Sequence, residues 1–207
     1  MSHALRCRGS VALFAVVALL VAALFVGVAG ASAAPLKLKG AQTTLTLEPT
    51  TAGVLLGVGV IPLPLWPTPV VPTDTSLKYS FPITGGMVDS KTLVGYMSHS
   101  CGLLLVKADE SGWSRLKLTD YRIVIKPSQA YVVTTVNGGP RVRILSLDLS
   151  NAKITKYVRH GWTYVRLGNV GATLTDAATA AINDTFSLSL PNGVKLGTAV
   201  VLARVAH

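Results

Sequence analysis

Alternation of apolar and polar residues, broken at short intervals by turn chemistry, constrains this chain more than any other feature. Thr43-Thr44-Leu45-Thr46-Leu47 alternates, as does Leu116-Lys117-Leu118-Thr119, which Tyr121 to Ile125 continues. A longer run spans Arg141 to Leu149, and Trp162–Leu167 and Val194–Val205 read the same way. Ala130 to Val136 is a short apolar strand. Successive side chains of a strand point to opposite faces, so each run buries one face and wets the other. Asn137-Gly138-Gly139-Pro140 predicts a hairpin turn, Asn192-Gly193 a turn before the last strand, and Thr84-Gly85-Gly86 a break between paired strands. Short strands joined in this way predict a mainly β fold, specifically an antiparallel β-sandwich.

One short α-helix is expected near the C-terminus. Thr175 can cap it, Asp176 suits its positive end, and Leu174, Ala178, Ala181, Ile182 and Phe186 form a stripe at helical spacing. Prolines 62, 64, 67, 69 and 72 make the stretch around Trp66 extended and poor in donors, as an edge segment or a loop wrapping the sheet.

The first 34 residues have a different grammar. Arg6 and Arg8 precede an unbroken apolar run from Val11 to Val28, and small residues at Ala31 and Ala33 follow. Charge, apolar run and cleavage site in that order predict a signal peptide over residues 1–34, and a single exported domain over residues 35–207. The product is expected to be secreted and extracellular, or held at the cell surface. Only an uncleaved N-terminal segment would tie it to a membrane.

Export sets the chemistry of the remainder. Cys7 leaves with the leader, so Cys101 is the one cysteine of the domain and no internal disulfide is available. Free cysteine favours burial, and that is the expectation for Cys101. The leader holds Arg6 and Arg8 and no acid. Of the chain's 19 basic and 9 acidic residues, 17 and 9 therefore remain, a net charge of +8. A basic exported domain suits anionic cell-envelope components or ligand carboxylates, and nucleic acid is not an expected partner.

Catalytic signatures are lacking. There is no G-x-S-x-G elbow, no phosphate loop and no acid pair, so the chain is read as a binding module and not an enzyme. His99 and Cys101 share a strand face at i and i+2, but a nucleophilic pair also needs an orienting group. The three histidines of the exported domain (His99, His160 and His207) and its one cysteine, scattered, do not make a metal site. His160 sits in an expected turn. Arg141, Arg143, Lys153, Lys156, Arg159 and Arg166 can form a basic face.

A family pattern runs through the same residues. Phe81-Pro82-Ile83-Thr84-Gly85-Gly86, Asp89, Gly95 and His99-Ser100-Cys101-Gly102-Leu103 come first. Leu118-Thr119-Asp120-Tyr121, Leu145 to Ala152, Leu174 to Asn183 and Leu196-Gly197-Thr198-Ala199 follow in order. This series, over about residues 42 to 203, resembles the HtaA-type domain of actinobacterial cell-surface proteins. The resemblance implies a β-sandwich with a short helix. In haem-uptake members it implies haem held by an axial tyrosinate with a histidine in support. His99 matches that histidine. The segment matching the tyrosine motif, Thr43 to Gly59, holds no tyrosine, Tyr79 is the nearest, and Cys101 stands where the family has glycine. The resulting expectation is an HtaA-like interaction module without the tyrosine-ligated haem site. The alternative is a haem-binding protein with His99 at or beside the iron.

Overall fold

The computed structural model describes residues 34–73, 76–100, 102–110 and 112–206. Residues 1–33 of the expected 1–34 leader lie outside the described residues, as do Cys101 and His207. In chain order the described elements are β1 (Pro35–Leu47), α1 (Pro49–Gly57), β2 (Ile61–Leu65), β3 (Val70–Pro72), β4 (Leu77–Asp89), β5 (Gly95–His99) and β6 (Gly102–Asp109). They continue with β7 (Gly112–Lys126), β8 (Gln129–Val136), β9 (Arg141–Asp148), β10 (Lys153–Arg159), β11 (Trp162–Leu174), α2 (Asp176–Phe186) and β12 (Lys195–Val205).

The expected sandwich is instead a barrel. Strands β7, β5, β4, β1, β12, β11, β9 and β8 follow one another by antiparallel hydrogen bonds, and β8 bonds back to β7. Arg122–Ile125 of β7 meet β5 on one side, while Leu118–Lys126 meet β8 on the other. Alternation does not separate the two architectures, because a sandwich and a barrel each bury every second residue.

Closure comes from bends that periodicity does not reveal. Registers shift between Leu38 and Ala41 in β1, Thr119 and Arg122 in β7, and Leu167 and Val170 in β11. Each shift coincides with positive φ: Ala41 at 75°, Asp120 at 56° and Asn169 at 58°. These are bulges, which sharpen the local twist so that a long strand can wrap around a barrel. Thr84-Gly85-Gly86 belongs to this group. Rather than breaking a strand pair, it is a bulge inside β4, with the register against β5 shifting between Ile83 and Gly85.

Three of the turns read from sequence are present. Asn137 and Gly138 both have positive φ between β8 and β9, His160 and Gly161 turn β10 into β11, and Asn192-Gly193 turns just before β12. The proline-rich stretch is β2 and β3, where β2 runs along β6 and β3 along the start of β4.

Among the described residues there are two helices, not one. Thr175 caps α2 as expected, its hydroxyl accepting from the Ala178 N–H at 3.2 Å, and Ala178, Ile182 and Phe186 are buried. The additional helix, α1, opens at Pro49 with no side-chain cap. It is apolar nearly all round, so it carries no amphipathic signature.

The Glu48 N–H donates to Leu196 O at 2.9 Å, and the Thr51 hydroxyl donates to Lys195 O at 2.6 Å. These bonds hold α1 against the start of β12. Because α2 ends shortly before β12 begins, both helices lie at the same end of the barrel. Residues 34–207 cluster as one compact unit.

Candidate functional site: the barrel lumen

Inward-facing side chains do not fill the barrel. They surround a cavity of about 400 Å³. β1 contributes Thr43, Leu45 and Leu47, and β4 contributes Tyr79 and Phe81, as the period of two requires. Helix α1 adds Thr50, Thr51, Val54 and Leu55, and α2 adds Ala177, Ala178, Ala181 and Ile182. None of the side chains lining the cavity is an acid, a lysine or an arginine.

His99 stands in this wall and is buried. Its Nδ1 lies 3.3 Å from Tyr121 O and its Nε2 2.8 Å from Thr43 Oγ1. A carbonyl only accepts, so Nδ1 carries the proton. The Nε2 lone pair then receives the Thr43 hydroxyl. Burial pushes the pKa of the imidazole down to about 4, offset in part by the bond to Tyr121. The ring is therefore neutral at physiological pH.

Tyr79 is buried as well, and its hydroxyl donates to Pro62 O at 2.9 Å. Loss of solvent raises the phenol to about 12, so it is not a tyrosinate near neutrality. Tyr79, Phe81 and Tyr121 run as a row of rings, with centroids 6.5 Å and 5.2 Å apart. The structure thus brings His99 and Tyr79 to the same cavity, with both polar groups already engaged by protein partners.

The segment in which the family resemblance places an axial tyrosine forms the end of β1 and α1. It presents threonines and aliphatic side chains to the lumen. Thr43 is the site residue that the sequence did not single out. It lies 56 positions from His99, and the two meet because β1 and β5 pair with opposite edges of β4.

The other candidates lie elsewhere. His160 is an exposed turn residue. Basic side chains on the outer face fold over aromatic rings: Arg143 over Tyr131 at 3.8 Å, Arg204 over Trp162 at 4.4 Å and Arg122 over Tyr96 at 5.1 Å. Among the described residues no group of three or more His, Cys, Asp or Glu could hold a metal ion.

No protein-family model matches the sequence, and neither does any curated protein sequence. Solved structures do match. The C-terminal domain of HtaA from Corynebacterium glutamicum superimposes with a TM-score of 0.55 at 12% identity, covering 83% of this chain and 99% of that one. The heme binding protein HtaB from the same organism gives 0.49 at 9% identity, covering 83% and 96%. A domain-swapped dimer of a variant of the HtaA C-terminal domain gives 0.48 at 12%, covering 76% and 91%. At these identities the likeness is one of fold. The chain has the fold of the HtaA C-terminal domain, in agreement with the family pattern in its sequence.

Proposed function

We propose that the domain beginning near Ala34 is an exported, HtaA-like binding module whose lumen takes up an apolar small molecule, without a tyrosine-ligated haem site. One observation carries the reading: a cavity of about 400 Å³ walled by uncharged side chains. Small-molecule sites are mostly apolar concavities of roughly 300–1,000 Å³ with a few placed polar groups. Here those groups are the neutral His99, Thr43 and the Tyr79 phenol. An apolar guest gains about 25 cal/mol per Å² of surface removed from water, and no lumen charge has to be desolvated against it. The signal-like order of residues 1–34 supports export.

A second reading keeps haem, with His99 at or beside the iron. It is favoured by the lumen position of His99 and by the shared fold. Iron would have to compete with Thr43 for the Nε2 lone pair. The two haem carboxylates would have to reach the cations at the helix-bearing end. These are Lys107, whose Nζ donates to Phe186 O at 3.0 Å, and Lys195, paired with Glu48 at 3.2 Å.

One experiment separates the readings. Residues 34–207, which form a compact unit, are titrated with a neutral naphthylamine dye and, separately, with haemin. Saturable dye fluorescence with a visible spectrum like that of free haemin supports the apolar guest. A saturable Soret shift that His99→Ala abolishes supports haem. Binding of neither ligand removes the lumen reading.

A further inference from the structure

We propose that the stretch running through β2 and β3 docks the barrel onto an anionic lipid surface. No Asp, Glu, Lys or Arg occurs in the 25 residues between Glu48 and Asp74. The stretch nevertheless faces water. Trp66 is 93% exposed, at the tip of the β2–β3 connection, and Val71 is 57% exposed. Ile61 and Leu63 stand out on β2 at 48% and 42%. A fully exposed tryptophan among aliphatic residues suits the membrane–water boundary, where the ring takes the interfacial position.

Register places cations beside this apolar stripe. Ile61 pairs with Val106, which pairs with Arg115, and Leu63 pairs with Leu104, which pairs with Lys117. Residues directly opposite in a ladder project to the same face, and the exposed Ile61, Leu63, Arg115 and Lys117 put these two rows on the outward face, although Val106 itself is buried. Arg115 and Lys117 are exposed there, two strands and about 10 Å from the stripe. On the other flank Val71 pairs with the exposed Lys78. Glu48 is tied to Lys195, while Asp109 and Glu110 sit at the β6–β7 turn, beyond the Ile61 row. Apolar centre and basic rim match an anionic headgroup layer over an acyl region.

A protein strand is a poorer occupant. The edge of β2 turned away from β6 has no N–H at Pro62 or Pro64, and the Pro62 carbonyl already accepts from Tyr79. The same stretch is continuous with α1, which walls the lumen, so docking would bring the cavity to a source of apolar molecules. The docking itself does not require that the lumen be filled, and its test is independent of the dye titration.

That test uses residues 34–207, so that the apolar N-terminal run makes no contribution. Flotation is measured with vesicles of phosphatidylcholine alone and of phosphatidylcholine mixed with phosphatidylglycerol, alongside tryptophan emission. The expected result is partition into the anionic vesicles with a blue shift. Trp66→Asp should weaken it by about tenfold or more. The pair Lys78→Glu and Lys117→Glu should weaken it by a similar factor, and added salt should do the same. All three positions are exposed, and circular dichroism checks that the variants keep the fold. Failure to float with anionic vesicles overturns the proposal, as does partition that Trp66→Asp leaves unchanged. Self-association removed by Trp66→Asp, without flotation, would assign the stripe to a second copy of the chain and overturn it equally.

Discussion

The Nε2 of His99 on β5 lies 2.8 Å from the hydroxyl of Thr43 on β1, across the intervening strand β4, and that bond occupies the only lone pair the imidazole ring can offer. Thr43→Val keeps the side-chain shape and deletes the donor. The ring nitrogen then stays buried with no partner, at a cost of about 1–3 kcal/mol. Urea unfolding should register the loss. The same change leaves Nε2 open toward the lumen. If haem bound through His99, Thr43→Val would tighten haemin binding while weakening the fold. Under the apolar-guest reading it weakens the fold and leaves the haemin spectrum unchanged.

Acid should loosen the barrel through the same residue. The folded pKa of His99 is pushed down to about 4, against an ordinary value of 6.5. Between these values the unfolded chain binds a proton that the folded chain refuses, so stability rises with pH. It is whole above about pH 6.5 and falls as pH drops toward 4. The full loss from this group is on the order of 3 kcal/mol. Chemical denaturation from pH 7.5 to 4.5 should trace the decline, and His99→Gln should flatten it. An equally steep decline in His99→Gln would place the acid sensitivity elsewhere.

Tyr79 makes a simpler case. Tyr79→Phe keeps the ring against Phe81 and removes the bond to Pro62 O. Stability should fall by about 1 kcal/mol, near the mean for one hydrogen bond. Because the phenol is engaged by Pro62 O, the apolar-guest reading expects the haemin spectrum of the variant at pH 8 to match that of the parent. A difference there would restore Tyr79 as an iron ligand.

Strand positions were legible in the sequence because a strand that buries one face must alternate. Long runs such as Arg141–Leu149 and Val194–Val205 therefore fell close to β9 and β12. The α2 cap was legible because Thr175 and the stripe after it are local signals. Closure was not legible. It depends on bulges at Ala41, Asp120 and Asn169, none of them a glycine, where a side chain accepts positive φ because neighbouring strands hold it there. Helix α1 was not legible either, since a helix apolar on every side shows no period. At the site, His99 was found through its family motif, whereas Thr43 had no mark beyond its place in an alternating run.

Three glycines should be irreplaceable for reasons of space as well as conformation. A Cβ on Gly86 would stand 2.9 Å from Met97 Cα, one on Gly95 2.8 Å from Val88 Cα, and one on Gly197 3.0 Å from Leu47 Cα. Each residue also has positive φ: 147°, 147° and 158°. The obstacles are backbone atoms of paired strands, which cannot rotate away as a side chain would. Gly86→Ala, Gly95→Ala or Gly197→Ala should each cost about 3 kcal/mol or more, seen as loss of soluble protein or a large fall in the denaturation midpoint. Gly138→Ala is the control. Its φ of 75° imposes strain, but no atom lies within 4 Å of the added carbon, so the loss should be nearer 1 kcal/mol.

The lumen itself makes the last prediction. Ala199 is buried on β12 between Leu45 and Val170, and it lines the cavity. Ala199→Leu sends three more carbons into space that no side chain fills. Each buried methylene contributes about 0.8 kcal/mol, and the strain that accompanies overpacking is avoided where a void exists. A gain of about 1–2 kcal/mol is therefore expected, or roughly 2–6 °C in Tm for a domain of this size. The leucine also takes volume from a guest, so affinity for a neutral naphthylamine dye should fall by about tenfold. Higher Tm with weaker dye binding identifies the lumen as the binding site. Higher Tm with unchanged binding would move the site to the outer apolar stripe, and a lower Tm would mean that the barrel closes on its own cavity in solution.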